Sequence, residues 1–90
     1  MSADPPSLEA VRVHITDFLR ERVLAPDVLV PPEARLDGLG VDSFRLMELI
    51  LFTEEGFQVS IPLSLLTPEN VATIESLSRC VHGVVAPRAG

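Results

Sequence analysis

The chain has 90 residues, which is enough for one small domain with a single core and too few for a second domain. Thirteen Asp and Glu against seven Lys and Arg give a net charge of −6, which disfavours binding to nucleic-acid phosphates or anionic membranes and favours basic patches on protein partners. Four Phe with no Trp or Tyr predict an aliphatic core and argue against an aromatic platform for nucleic-acid bases.

The sequence has no sign of a disulfide, a metal site or a membrane segment. Cys80 is the single cysteine and has no clustered His companion, so we expect it to be a small apolar residue inside a helix. The amino terminus lacks a charged-then-apolar signal segment, and no run of about 18 apolar residues occurs. These features predict a cytoplasmic protein, and we expect a monomer.

The first predicted helix runs from about Leu8 to Leu24, after a lead at residues 1–6 that is expected to be disordered. Ser7 fits an N-cap, and Glu9 lies in the first turn, where the helix dipole favours an anion. Apolar residues at three- and four-residue steps indicate one buried face. They are Leu8, Val11, Ile15, Phe18 and Leu19.

The segment from Ala25 to Val41 is predicted to be a long irregular connection, because its prolines prevent a helix from continuing. A connection this long in a small domain is expected to pack onto the core or to serve a function. Its expected anchors are Val28, Leu29, Val30, Leu36 and Leu39.

The second predicted helix, from about Ser43 to Glu55, has two apolar stripes. The first consists of Leu46, Leu49, Ile50 and Thr53, and the second of Phe44, Met47 and Leu51. A small bundle buries one stripe more readily than two, so the second stripe, interleaved with carboxylates, is predicted to be an exposed docking face for a partner. The alternative is that both stripes belong to the core.

The carboxyl-terminal third is predicted to contain a short helix and a longer one. Gly56 should end the second helix as a C-cap, and an extended loop anchored by apolar residues should follow, at Phe57, Val59 and Ile61. A short helix is expected to begin at Thr67, since Pro68 suits the first helical position.

The last helix should be capped by Thr73 and closed by Gly83, with apolar residues facing inward. These are Ile74, Leu77, Cys80 and Val81. Residues 84–90 are expected to form a flexible tail, which leaves residues 7–83 as the folded domain.

A motif lies at the start of the second helix. Gly40-Val41-Asp42-Ser43-Phe44 resembles the G-x-D-S-[LF] signature of acyl and peptidyl carrier proteins. Later segments match the family's landmarks in its order and with nearly its spacing. They are Glu48-Leu49-Ile50, Glu54-Glu55-Gly56-Phe57, Ile61-Pro62 and Thr73-Ile74. The resemblance covers roughly Leu8 to Val81.

The resemblance implies an all-α fold of acyl-carrier type, a small four-helix bundle with three main helices, one short helix and a long loop between helices 1 and 2. It implies that the Ser43 hydroxyl receives a covalent 4′-phosphopantetheine arm from coenzyme A, through a phosphopantetheinyl transferase that recognises Asp42. The thiol of the arm would hold acyl or aminoacyl groups as thioesters. A loading ligase would supply them, and synthase or transferase enzymes with basic docking patches would use them.

In carrier proteins the second helix is the recognition helix, which agrees with the docking face predicted from the stripes. The predicted docking residues are Phe44, Arg45, Met47, Glu48, Leu51 and Glu55. Arg45 departs from many fatty-acid carriers, which have an acidic or neutral residue there, and this favours a dedicated set of partners. The apolar segment Leu63-Ser64-Leu65-Leu66 is more similar to aminoacyl, peptidyl and specialised polyketide carriers.

Two other functions stay open beside the carrier hypothesis. An unmodified carrier-like interaction module would dock a partner through the second helix with no arm attached. A hydrolase fits less well, because the carboxylate beside Ser43, that of Asp42, is a weak base and the sequence has no G-x-S-x-G elbow there. The carrier hypothesis predicts a free-standing protein without catalysis of its own, in a polyketide, nonribosomal-peptide or fatty-acid-like pathway.

Overall fold

The computed structural model describes residues 6–24 and 30–85, which fold into three α-helices and two single-turn 3-10 helices. The α-helices are α1 (Leu8–Arg22), α2 (Ser43–Phe57) and α3 (Ile74–Val85), and the 3-10 helices are Asp37–Leu39 and Leu63–Leu65. α1 packs against both α2 and α3. The predicted all-α fold is therefore confirmed for the described residues. None of the helices in the described ranges combines the length and the apolar character needed to cross a membrane.

The core of the described residues is aliphatic apart from one phenylalanine, as the composition predicted. Its members are Val11, Ile15, Phe18, Leu19, Leu36, Val41, Leu49, Ile50, Ile61, Ile74, Leu77, Val81 and Val85. Burying a side chain of this size stabilises the fold by about 1.5–3 kcal/mol relative to exposure. Every α-helix and the connection before α2 contribute to this core.

α1 begins at the predicted cap, where the Ala10 N–H donates to Ser7 Oγ at 3.1 Å. It ends at Arg22, two residues before the expected end. One ionic contact joins it to α3, since Arg12 Nη2 donates to Glu75 Oε1 at 2.8 Å. Within α3, Arg79 Nε donates to the other oxygen of the same carboxylate, Glu75 Oε2, at 2.6 Å. The hydrogen bond from Arg12, followed by that from Arg79, lowers the pKa of the Glu75 carboxyl below its ordinary value.

The connection between α1 and α2 packs onto the bundle over the part that is described. Of its expected anchors, Leu36 is buried and Val30 and Leu39 are partly buried, whereas Val28 and Leu29 lie outside the described residues. The backbone is also paired with the segment before α3. Leu36 N–H donates to the Ala72 carbonyl at 2.9 Å, next to an antiparallel bridge between Arg35 and Thr73.

The prediction that Gly56 ends α2 is wrong. The helix continues to Phe57, and Gln58 adopts the left-handed conformation at the C-cap, with φ of 55°. Gly56 instead allows close approach of His14, because a Cβ at position 56 would lie 2.7 Å from His14 Nε2. The His14 ring stacks on Phe52, with the ring centroids 4.4 Å apart. This glycine is therefore required by packing between two helices.

The prediction that Gly83 closes the last helix is also wrong. α3 starts after Thr73 as expected, with Ser76 N–H donating to Thr73 Oγ1 at 3.0 Å, but it continues to Val85. Val85 is buried, so residues 84 and 85 belong to the folded domain. Residues 1–5 of the expected lead and residues 86–90 of the expected tail lie outside the described residues.

No α-helix begins at Thr67 among the described residues, contrary to the prediction. The cap does form, since Asn70 N–H donates to Thr67 Oγ1 at 3.2 Å, but only one turn follows. The Ala72 carbonyl accepts from Leu36 N–H in the connection before α2. This pairing requires an extended backbone, so the helix cannot continue to Ala72. A short 3-10 helix occurs earlier in the chain instead, at Leu63–Leu65. Ile61, which precedes it, is buried, as predicted for an anchor of this loop.

Candidate functional site

The site is the amino end of α2 and the turn that precedes it. Gly40 has φ of +94°, a left-handed conformation that glycine adopts without steric cost, and it ends the 3-10 helix Asp37–Leu39. Val41 is buried and its N–H donates to the Leu36 carbonyl at 3.0 Å. The turn is thus fixed to the core on one side, so that Asp42 and Ser43 emerge at the surface.

Asp42 is the N-cap of α2. Its Oδ1 accepts from Arg45 N–H at 2.9 Å, and its carbonyl accepts from Leu46 N–H at 2.8 Å. The carboxylate satisfies one of the donors that a helix start leaves unpaired. The adjacent Ser43 and Phe44 N–H groups have no hydrogen-bond partner within the described part of the chain. A helix end with free N–H groups is a favourable place for a phosphate.

Ser43 is the first residue of α2 and is exposed to solvent. Among the hydrogen bonds of the described residues, none involves its hydroxyl. The two histidines of the chain lie in α1 and α3, and His14 is packed against Phe52 at the far end of α2. The hydroxyl is therefore accessible to another protein, and neither histidine belongs to the α2 start at which it lies.

An open cleft of about 190 Å³ adjoins Ser43. It lies between the amino end of α2, the connection before it and the turn before α3. Its lining consists of Arg35, Leu36, Asp37, Val41, Asp42, Ser43, Leu46, Pro68, Val71 and Ala72. The motif accounts for three of these residues, and the others come from segments that only the fold brings together.

A surface ion pair lies at this cleft. Arg35 Nε donates to Asp37 Oδ1 at 3.1 Å, and Arg35 Nη2 donates to Asp37 Oδ2 at 3.2 Å. The side-chain hydrogen bond from Arg35 lowers the pKa of the Asp37 carboxyl below its ordinary value, and the same bond raises the pKa of Arg35. Sequence analysis missed both residues, since no motif or periodic pattern distinguishes an Arg-Leu-Asp string in a loop.

The second apolar stripe of α2 is at the surface, next to Ser43. Phe44 is 67% exposed, Met47 46% and Leu51 56%, whereas Leu49, Ile50 and Thr53 on the first stripe are buried. We call Phe44, Met47 and Leu51 the apolar face of α2. The expected exposure is confirmed, and the alternative in which both stripes are core is excluded.

Charged residues border this apolar face. Arg45 Nη1 lies 2.6 Å from Glu48 Oε1, and the guanidinium carbon of Arg45 lies 6.0 Å from the centroid of the Phe44 ring. Glu55 is exposed nearer the carboxyl end of the helix. Because the positive charge of Arg45 offsets the negative charge of Glu48, the net negative charge beside the apolar face is smaller near Ser43 than near Glu55.

A bundle that presents an accessible serine at a helix start, between a cleft and an exposed apolar face, has the features of a carrier for a covalently attached group. The family model of the phosphopantetheine attachment site matches residues 9–81. The chain therefore belongs to this family of carrier proteins, whose cofactor is 4′-phosphopantetheine.

Known proteins agree with this assignment. Over 73 residues the chain is 36% identical to aminoacyl carrier protein 1 of Bradyrhizobium diazoefficiens, covering 81% of this chain and 79% of that protein. Over 54 residues it is 37% identical to the acyl carrier protein of Syntrophobacter fumaroxidans, covering 59% of this chain and 67% of that protein. It also superimposes on a chain from the crystal structure of the Bradyrhizobium japonicum glycine:[carrier protein] ligase complexed with glycylated carrier protein. That match has a TM-score of 0.65 and 32% sequence identity, and it covers 81% of this chain and 95% of the other.

The residues at the start of α2 fit a phosphopantetheine group. The Ser43 hydroxyl is exposed there, and the N–H groups of Ser43 and Phe44, which have no partner among the described residues, suit a phosphate. The adjoining cleft provides one cation, Arg35, and apolar surface from Pro68 and Val71. The geometry therefore accommodates both the anionic start of the arm and its less polar continuation.

Proposed function

We propose that this protein is an aminoacyl carrier whose 4′-phosphopantetheine arm is attached to Ser43. The accessible hydroxyl at the amino end of α2 is the observation that carries the proposal. The aminoacyl cargo is supported by the relative named aminoacyl carrier protein 1 and by the glycylated carrier protein in the ligase complex. When attached, the arm supplies a terminal thiol that holds the cargo as a thioester.

Attachment requires an external enzyme, because a serine hydroxyl is a weak nucleophile without a base. A phosphopantetheinyl transferase would take the proton from Ser43 as Oγ bonds to the phosphorus nearest the pantetheine. The diphosphate bond of coenzyme A would break, and adenosine 3′,5′-bisphosphate would leave. Asp42 is the proposed recognition residue for this transferase. Its Oδ1 is engaged in the helix cap, so Oδ2 of this exposed side chain is the atom to offer to the enzyme.

The apolar face of α2 is the proposed docking surface for the loading ligase and for the enzymes that use the cargo. An interface typically has an apolar centre and a polar rim, and the face has both, with Arg45, Glu48 and Glu55 at its border. The net charge of −6 adds long-range attraction to basic patches on those enzymes. The carrier itself contributes no catalytic group, and the cytoplasmic location expected from the sequence stays a prediction.

The attachment step is tested by intact-protein mass after incubation with coenzyme A and a broad-specificity phosphopantetheinyl transferase. The parent protein should gain one 4′-phosphopantetheine, and Ser43→Ala should gain none. Ser64→Ala is the matched control, since Ser64 is also exposed and lies on a single-turn helix, and this variant should be modified like the parent. A folded parent protein that gains no mass would support the unmodified interaction module instead.

The cargo is tested on the modified protein with ATP, an amino acid and a purified amino acid:[carrier protein] ligase. We expect a second mass gain equal to one aminoacyl group, which hydroxylamine should remove because a thioester is cleaved by this nucleophile. An acyl ligase with a fatty acid provides the comparison. Loading by the acyl ligase alone would contradict the aminoacyl proposal and leave the carrier assignment in place.

A further inference from the structure

Arg35 is the one cation among the residues that line the cleft beside Ser43. Two carboxylates, Asp37 and Asp42, line the same cleft. Attachment of an arm to Ser43 would add the negative charge of a phosphodiester to this place. Without a nearby cation, the new charge would be repelled by both carboxylates.

The backbone of Arg35 is held firmly while its side chain is exposed. Arg35 forms the bridge with Thr73, and its carbonyl accepts from Leu39 N–H at 3.1 Å. The side chain is 65% exposed, and that of its partner Asp37 is 68% exposed. The guanidinium can therefore change partner by side-chain rotation alone, with the loop unchanged.

The contact between Arg35 and Asp37 is easily replaced. An ion pair between exposed side chains contributes little to stability, because water screens it and both side chains lose conformational freedom. The planar guanidinium matches a pair of phosphate oxygens as well as it matches a carboxylate. An anion tethered to the same cleft also has a high effective concentration.

We infer that Arg35 binds the phosphodiester on Ser43 in the modified protein and exchanges Asp37 for the phosphate. The inference rests on the proposed function, because the phosphodiester exists only when Ser43 carries the arm. The N–H groups of Ser43 and Phe44 contribute the other donors. Arg35 is thus a positioning residue that restrains the start of the arm at the cleft, on a segment separate from the apolar face of α2.

The experiment uses the modified protein and its phosphorus NMR signal. Parent, Arg35→Gln, Arg35→Lys and Arg45→Gln are each modified, and intact mass confirms the arm. We expect Arg35→Gln to shift the phosphodiester resonance, Arg35→Lys to shift it less, and Arg45→Gln to leave it unchanged. Arg45 is the matched control because it lies two residues from Ser43 and is paired with Glu48.

A second readout is the pKa of Asp37, followed by NMR of its carboxyl carbon. Before modification this pKa should be lower in the parent than in Arg35→Gln, because the Arg35 hydrogen bond lowers it. After modification the difference should shrink, since Arg35 has moved to the phosphate. An undiminished difference would overturn the inference.

Intact-protein mass shows whether the arm is attached, and so separates failure of the proposed function from failure of the exchange at Arg35. No gain on the parent protein would overturn the proposed function, and this inference with it. A gain on every variant with the same phosphorus resonance, or with equal shifts in Arg35→Gln and Arg45→Gln, would overturn only the exchange. A folded Arg35→Gln protein that alone gains no arm would overturn it too, and would place Arg35 in the encounter with the transferase.

Discussion

The two apolar stripes of α2 have similar side chains and opposite environments. Leu49 is completely buried, whereas Leu51, two residues later, is 56% exposed. α1 packs against α2, whereas the side of α2 that carries Leu51 is open to solvent. Position around the helix axis, and not hydrophobicity, therefore separates the residues that hold this fold from those available to a partner. The exposed stripe is also the one that begins beside Ser43.

The largest expected effect is on the buried stripe. Leu49→Ala should lower the free energy of unfolding by about 2–5 kcal/mol, because it removes buried surface and leaves a cavity. Leu51→Ala should change it by less than about 0.5 kcal/mol, as expected for a surface substitution. Urea denaturation followed by circular dichroism measures both. Equal losses would show that the exposed stripe also supports the fold.

Two glycines inside helices should respond to alanine in opposite ways, because Gly56 lies at the contact of α2 with α1 and Gly83 does not. Gly56→Ala should destabilise the protein by about 1–3 kcal/mol, because the added methyl group overlaps the His14 ring. Gly83→Ala should stabilise it by about 1 kcal/mol, since a Cβ at position 83 would meet no atom within 4 Å and alanine favours the helix.

Thermal and urea denaturation measure both glycine variants. The double variant His14→Ala with Gly56→Ala is the control for the overlap. Adding Gly56→Ala to the His14→Ala variant should lower the free energy of unfolding by less than adding it to the parent protein does. Equal losses in the two backgrounds would show that His14 is not the cause.

Substitutions on the exposed stripe should change how efficiently a ligase loads the modified carrier. Leu51→Asp should reduce kcat/KM of the ligase for the modified carrier by about tenfold, equivalent to about 1.4 kcal/mol, because it places a charge in the centre of the proposed docking surface. Val13→Asp is the matched control, since Val13 is a 47% exposed apolar residue on α1. Equal loss of loading in both variants would argue against the apolar face as the docking surface.

A still smaller effect is expected for the ionic contacts of Glu75 in α3, with Arg12 of α1 and with Arg79 one turn later in α3. The pKa of Glu75 is lowered in the folded protein by Arg12 and then Arg79, so its contribution to stability is complete above the unfolded value of 4.5. It is lost as the pH falls through the lower folded-state pKa. Glu75→Gln should therefore show a weaker fall of the urea midpoint in this acid range. The same pH dependence in parent and variant would contradict this account.

Much of the fold was predictable from local sequence. The three main helices follow from apolar periodicity, and their starts follow from caps at Ser7, Asp42 and Thr73, because a cap depends on neighbouring residues only. The helix ends were less predictable. A glycine favours a C-cap only where the chain needs a left-handed residue, and at α2 that residue is Gln58.

The candidate site divides in the same way. The motif and the stripe pattern predicted that Asp42, Ser43 and the apolar face share one exposed surface, because these residues are neighbours on a single helix. Arg35 and Val71 were missed, since they reach the cleft only through the pairing of two loops across the bundle. The wrong prediction of a helix at Thr67 has the same cause. Pairing of the backbone at Ala72 and Thr73 with the connection before α2 prevents the helix from continuing.

The helical class, the aliphatic core, the carrier signature and the side of α2 that faces solvent can all be read from the local sequence. These properties depend on spacing within a single element, and an isolated helix already contains that information. The tertiary structure decided where the helices end, why Gly56 must be small and which distant side chains share a cleft with Ser43. Those features depend on contacts between segments far apart in the chain, and their positions follow from packing.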